Sequence, residues 1–263
     1  MRTKKISAGM SAGIQKTSRE IELMKESCTI VARVLRHLGT MIRPGISTLE
    51  LDVAAEEFIR MEGGVPAFKG YGPDSRNLFP ATLCTSVDDE VVHGIPGKRK
   101  LVEGEIVSID VGVKKNGYFG DGAWTFPVGE ISEEKARLMR VTREALMDGI
   151  GRTVVGNRVH DISAAIQKRV ETAGFSVVRD LVGHGIGTKL HEEPAVPNFG
   201  NPGTGMSLEE GMTLAIEPMV NYGSYRVVVD PDRWTIRTSD HQPSAHFEHT
   251  VLVTGGEAMI LTA

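Results

Sequence analysis

Asn116-Gly117 separates two strand-like runs, Glu105 to Val113 and Ala123 to Val128, and an Asn-Gly pair in that position predicts a tight antiparallel hairpin. With these two residues as the turn, Lys115 pairs with Tyr118 and Asp110 faces Ala123. Asp121 is then the diagonal neighbour of Asp110 on the same face. If the turn slips to Lys115-Asn116, the two aspartates face each other directly. Either register holds the carboxylates within roughly 5–8 Å at the backbone, and only an odd-length loop would part them. Two like charges that close on a largely apolar sheet repel unless a cation lies between them.

One imidazole and two more carboxylates follow downstream: His184 in Gly183-His184-Gly185-Ile186-Gly187, Glu217 in Ala215-Ile216-Glu217-Pro218, and Glu248 in Phe247-Glu248-His249-Thr250. Singly, each has a plainer reading. Asp110 could be a solvated edge residue, Asp121 a turn residue between glycines, His184 a satisfied loop histidine and Glu217 an exposed strand end. Glu248 alternates with Phe247 and His249 and so shares a face with His246 and Thr250. Gly185 and Gly187 argue against a helix, so the segment reads as a loop presenting His184 and His191. Together, four buried carboxylates need a partner, because an unpaired buried charge is costly. A pair of divalent cations fits best. An oxygen-rich set with one imidazole suits Mn, Fe, Co or Zn in a catalytic rather than a structural role.

Helices are marked by their caps. Thr17 with Glu20 and Ser47 with Glu50 form capping boxes for helices ending near Gly39 and Gly63-Gly64. Strands are expected around Thr82 to Val87 and through the hairpin. The second half repeats the order: Ser132 opens a helix through Ile150, and Val159 to Val170 forms another ending at Gly174. Strands follow around Phe175 to Val182, Met212 to Ile216, Tyr225 to Val229, Trp234 to Thr238 and His246 to Val253. Helix, helix, strands, twice over, predicts one pseudo-symmetric α+β domain over 17–263 behind a short polar tail, 1–16.

Bulk properties exclude other classes. The formal charge of -4 argues against nucleic-acid and anionic-membrane partners. Two cysteines, Cys28 and Cys84, permit no disulfide framework and suggest a reducing cytoplasm. Gly9-Met10-Ser11-Ala12-Gly13 matches a nucleophile-elbow pattern but has no strand before it. His191-Glu192-Glu193-Pro194-Ala195 starts like a zinc-helix motif but lacks the second histidine, and Pro194 forbids the helix.

Taken in order, these segments, with Val91-Val92-His93-Gly94-Ile95-Pro96 and His191-Glu192-Glu193-Pro194, resemble the type I methionine aminopeptidases from about Thr17 onward. The resemblance implies the pita-bread fold, an antiparallel sheet with helices packed outside. It implies two divalent metal ions, one chelated by Asp110, both bridged by Asp121 and Glu248, and the second completed by His184 and Glu217. Glu217 would also shuttle a proton, His191 would donate to the scissile carbonyl, and His93 would bond the substrate backbone. The substrates would be the N-termini of nascent polypeptides, which implies proximity to the ribosome in the cytoplasm, and the family default is a monomer. Tyr71, Phe79, Cys84, Leu190 and Trp234 fall at methionine-pocket positions. Phe68 stands where many relatives carry cysteine, Leu190 replaces a frequent aromatic, and Gly72 to Asn77 is inserted between Tyr71 and Phe79. Two rivals remain: an Xaa-Pro peptidase on the same scaffold, or a pita-bread binding module without metal.

Overall fold

The computed structural model describes residues 14–72 and 75–263. Among the described residues four helices form, the first three where their caps place them: α1 over Ser18–Gly39, α2 over Thr48–Met61, α3 over Glu133–Ile150 and α4 over Val159–Thr172. The two capping boxes are reciprocal. Thr17 Oγ1 accepts from Glu20 N–H while Glu20 accepts from Thr17 N–H, and Ser47 with Glu50 does the same. Each box satisfies donors that a helix start otherwise leaves unpaired.

Among the described residues a nine-stranded sheet carries the site. Across it run Val65–Pro66, Ile106–Lys115, Tyr118–Pro127, Glu248–Leu252, Thr213–Ile216, Val182–Gly185 and Glu192–Pro197. Leu83–Val87 pairs with Ile106–Lys115, and Met259–Ile260 pairs with Glu248–Leu252. The hairpin takes the Asn116-Gly117 register, with Lys115 opposite Tyr118 and Asp110 opposite Ala123. Asn116 and Gly117 both have positive φ, 52° and 88°, as that turn demands.

Each pair of helices buries its own core. Leu35, Leu38, Leu51 and Ile59 pack on the first-half strands, and Leu138, Leu146, Ile162 and Ile166 on the second-half strands. Trp124 packs against both cores and joins them. Among the described residues no helix is long and apolar enough to cross a membrane.

Four expectations need correction. His184 sits in a strand, Val182–Gly185, not a loop; the flanking glycines are there because a Cβ at Gly183 would stand 2.4 Å from Ala215 O and one at Gly185 2.1 Å from Glu193 O. The strand expected over His246 to Val253 is two strands, Ser244–His246 and Glu248–Leu252, which enter different sheets on either side of Phe247. The strand expected over Phe175 to Val182 is likewise divided, into Ser176–Val177 and the start of Val182–Gly185. The tail boundary falls too late: Gln15 bridges to Met212, and buried Lys16 pairs with Glu192 at 2.8 Å. The rest of the expected tail, with its Gly9 to Gly13 motif, lies outside the described residues, as do two positions of the inserted loop.

Candidate metal centre

The register of the sheet puts the five expected ligands on one face. Ala123 pairs with Asp110 on one side and with Glu248 on the other. Asp121 is two residues from Ala123, and strand alternation returns it to that face. His249 pairs with Ile216, so Glu217, the next residue, alternates onto the face of Glu248. His184 and Thr250 both pair with Ala215, two residues before Glu217, which brings in the imidazole. Ligand atoms of Asp121, His184 and Glu248 all lie within 4.8 Å of one another. His184 Nε2 stands 3.6 Å from Glu217 Oε1.

This cluster is underpaired in the way a cation would relieve. Asp110 Oδ1 and Glu248 Oε1 are buried and have no hydrogen-bond partner. Burial, then the charges of Asp121 and Glu217, pushes the Asp110 carboxyl well above the usual range. Burial, then Asp121, does the same to Glu217. Glu248 is likewise raised by burial and by its three acidic neighbours, and burial lifts Asp121 to about 7. Burial, reinforced by His191, lowers His184 to about 3, leaving a neutral ring able to ligate. Hard oxygen donors with one nitrogen, crowded and unneutralised, fit divalent cations.

The scaffold fixes these groups through the backbone. Thr250 Oγ1 accepts from Asp121 N–H and donates to Asp121 O, clamping the two strands beneath the site. Asn198 Nδ2 donates to Glu217 O at 3.1 Å. Glu192 turns away from the centre and accepts from Lys16 Nζ, Thr188 Oγ1 and Lys189 N–H, which anchors the segment carrying His191.

All thirteen residues expected at the site line one cavity of about 140 Å³. Asp110, Asp121, His184, Glu217 and Glu248 form its floor. Phe68, Phe79, Cys84 and Leu190 are buried apolar walls, and Trp234 meets Phe79 edge-on at 5.2 Å between centroids. Tyr71 and His191 stand at the mouth, open to solvent on one side. His93 adopts φ 60°, a region few non-glycine residues occupy, and its ring meets Trp234 edge-on at 6.4 Å. Burial lowers His93 to about 4, and burial pushes the Cys84 thiol well up, so neither carries charge at neutral pH.

Sequence reasoning missed His246. Its ring is buried, neither nitrogen has a hydrogen-bond partner, and Nε2 lies 3.6 Å from Glu217 Oε2. The signal was available, since His246 shares the alternation of Glu248. What hid it was the change of sheet at Phe247.

Comparison with known proteins agrees with this geometry. The sequence model of metallopeptidase family M24 matches residues 22–255. A methionine aminopeptidase of Clostridium perfringens is 53% identical over 250 residues, 95% of this chain and 98% of that protein. Methionine aminopeptidase 1 of Bacillus subtilis is 51% identical over 95% of this chain and 98% of its own. A crystal structure of methionine aminopeptidase from Thermotoga maritima superposes with a TM-score of 0.91 at 48% identity, covering 94% of this chain and 98% of that one. The chain therefore belongs to metallopeptidase family M24 and, within it, stands with the methionine aminopeptidases.

Proposed function

We propose that this enzyme removes the initiator methionine from nascent polypeptides whose second residue is small, acting in the cytoplasm as a monomer near the ribosome. One observation carries the reading: a single cavity, open at Tyr71 and His191, has a carboxylate-imidazole floor and apolar walls of Phe68, Phe79, Cys84, Leu190 and Trp234. An unbranched apolar side chain held by those walls sets its own amide over the floor. Burial of the walls also excludes water from the space beside the reacting bond.

Asp110 would hold one divalent ion, His184 and Glu217 the other, with Asp121 and Glu248 shared between them. Bound there, such ions supply charge stabilisation and lower the pKa of water. Every other step belongs to the chain. Glu217 has one oxygen toward His184 and the other toward His246, so it can serve as ligand and still accept a proton from the attacking water and return it to the leaving amine. His191, at the mouth, donates to the scissile carbonyl oxygen as negative charge develops there. His93, held in its strained backbone conformation against Trp234, bonds the substrate backbone.

The test is a release assay with added Mn, Fe or Co. Methionine should be freed from Met-Ala and Met-Gly peptides and not from Met-Lys. Activity confined to Xaa-Pro peptides, or peptide binding with no metal-dependent hydrolysis, would overturn the reading.

A further inference from the structure

Tyr71 does more than rim the cavity. Its hydroxyl oxygen lies 2.6 Å from Nδ1 of His191, and the two rings are tilted with centroids 5.2 Å apart. The backbone holds Tyr71 in place on both sides: its N–H donates to Phe68 O at 2.8 Å, and its carbonyl accepts from Phe79 N–H at 2.7 Å. The second bond closes the base of the loop inserted after Tyr71. A Cβ at Gly72 would come within 2.2 Å of Asn77 O, so that base is tightly drawn. Although 43% exposed, Tyr71 is therefore anchored where it meets His191.

The pair can bond in two ways, from Nδ1–H to the phenol oxygen or from the phenol proton to a bare Nδ1, according to the tautomer of the ring. Burial raises the phenol's pKa, which keeps that proton in place. A neutral imidazole carries one N–H, so a bond accepted at Nδ1 leaves the proton on Nε2. Nε2 is the nitrogen left to meet substrate.

We propose that Tyr71 is a positioning residue whose hydroxyl fixes His191 as the Nε2–H tautomer, the form able to donate to the scissile carbonyl. The proposal rests on the role given to His191 above. Without the hydroxyl, the ring is free to place its proton on Nδ1, and Nε2 becomes an acceptor facing an oxygen that gains negative charge. The inserted loop gains a purpose here too: its closed base holds the tyrosine that orients the histidine.

Two measurements test this. With metal-loaded enzyme and a Met-Ala peptide, Tyr71→Phe should lower kcat by about 10- to 100-fold, the range for a residue acting through a catalytic partner, with KM unchanged. In a His191→Ala background the same substitution should cost nothing more. A raised KM with kcat intact, or losses that multiply, would make Tyr71 a pocket wall and overturn the proposal. The second measurement needs no turnover. In metal-free protein at mildly alkaline pH, the ¹⁵N spectrum of the His191 ring should show a protonated Nε2 and a bare Nδ1, and Tyr71→Phe should mix the two tautomers. A protonated Nδ1 in the unmodified protein overturns the proposal even if methionine is released. Failure to release methionine, with the expected tautomer present, would instead count against the enzymatic reading.

Discussion

Asp110 and Glu248 are both cross-strand partners of Ala123, one from each flanking strand, so the two carboxylates face each other over a single methyl group. Strands lie about 4.7–4.9 Å apart, which opens a gap of two strand spacings between the acidic residues. Asp121 enters that gap from two residues along. The smallness of Ala123, which is fully buried, is what leaves room for cations there.

Ala123→Leu should fill this room. Divalent-metal affinity should fall by about 100-fold or more, taking hydrolysis with it, while overpacking costs about 1–3 kcal/mol of stability. Titration calorimetry with Mn and a urea melt would measure the two effects separately. Undiminished metal binding in a folded variant would contradict the account of the gap.

The two hairpin aspartates should fail differently. Asp121 is proposed to serve both ions and Asp110 one, so Asp121→Asn should abolish tight binding of both, and Asp110→Asn should leave one. Each should reduce turnover by at least about 100-fold. The number of Mn ions bound per chain decides it, and equal stoichiometry in the two variants would refute the division of labour.

Acidity should act on the metal-free protein in a particular sense. Burial and mutual repulsion raise Asp110, Glu217 and Glu248 well above the usual carboxyl range, and burial alone raises Asp121 to about 7. A group whose folded pKa is raised binds its proton more tightly when folded, so its stabilisation is present at low pH and lost as pH rises through the folded value. The buried histidines, lowered from 6.5, act oppositely, but only while the unfolded imidazole can still protonate. Above about pH 7.5, a unit past the unfolded imidazole value, the carboxyl effect stands alone. Chelator-treated protein should therefore lose Tm from about pH 7.5 to 9, and added Mn should restore more at the upper end. Calorimetry showing a flat Tm for the stripped protein across that range would count against it.

His93 should be sensitive to its neighbour. A Cβ at Gly94 would lie 2.2 Å from Thr85 O, a backbone atom that cannot turn aside. Gly94→Ala must displace the strained segment that presents His93, and a shift of about 1 Å can cost as much as about 100-fold in rate. The expected signature is kcat/KM falling far more than Tm. Unchanged kinetics would show that the position of His93 does not govern the reaction.

Local chemistry made much of this legible from sequence. Capping boxes declare themselves within four residues, and a tight turn at Asn116-Gly117 puts Asp110 and Asp121 on one face in either register. Pairing between distant strands was harder to read. Glu192–Pro197 joins the sheet beside Val182–Gly185 although its two prolines and two glutamates carry no strand pattern, and the glycines after His184 read as a loop rather than a strand. His246 was overlooked because nothing local announces that Phe247 carries the chain from one sheet into another. The ligands themselves were recognised through their motifs, and the sheet register then explained why five scattered residues share one face.

The chain's two tryptophans divide its optical signal between folding and catalysis. Trp124 is wedged between the two cores, whereas Trp234 walls the cavity against Phe79 and His93. Indole emission from this protein is therefore a two-channel reporter. A variant retaining Trp124 alone would register the joining and parting of the halves. One retaining Trp234 alone would register the arrival of a methionine side chain.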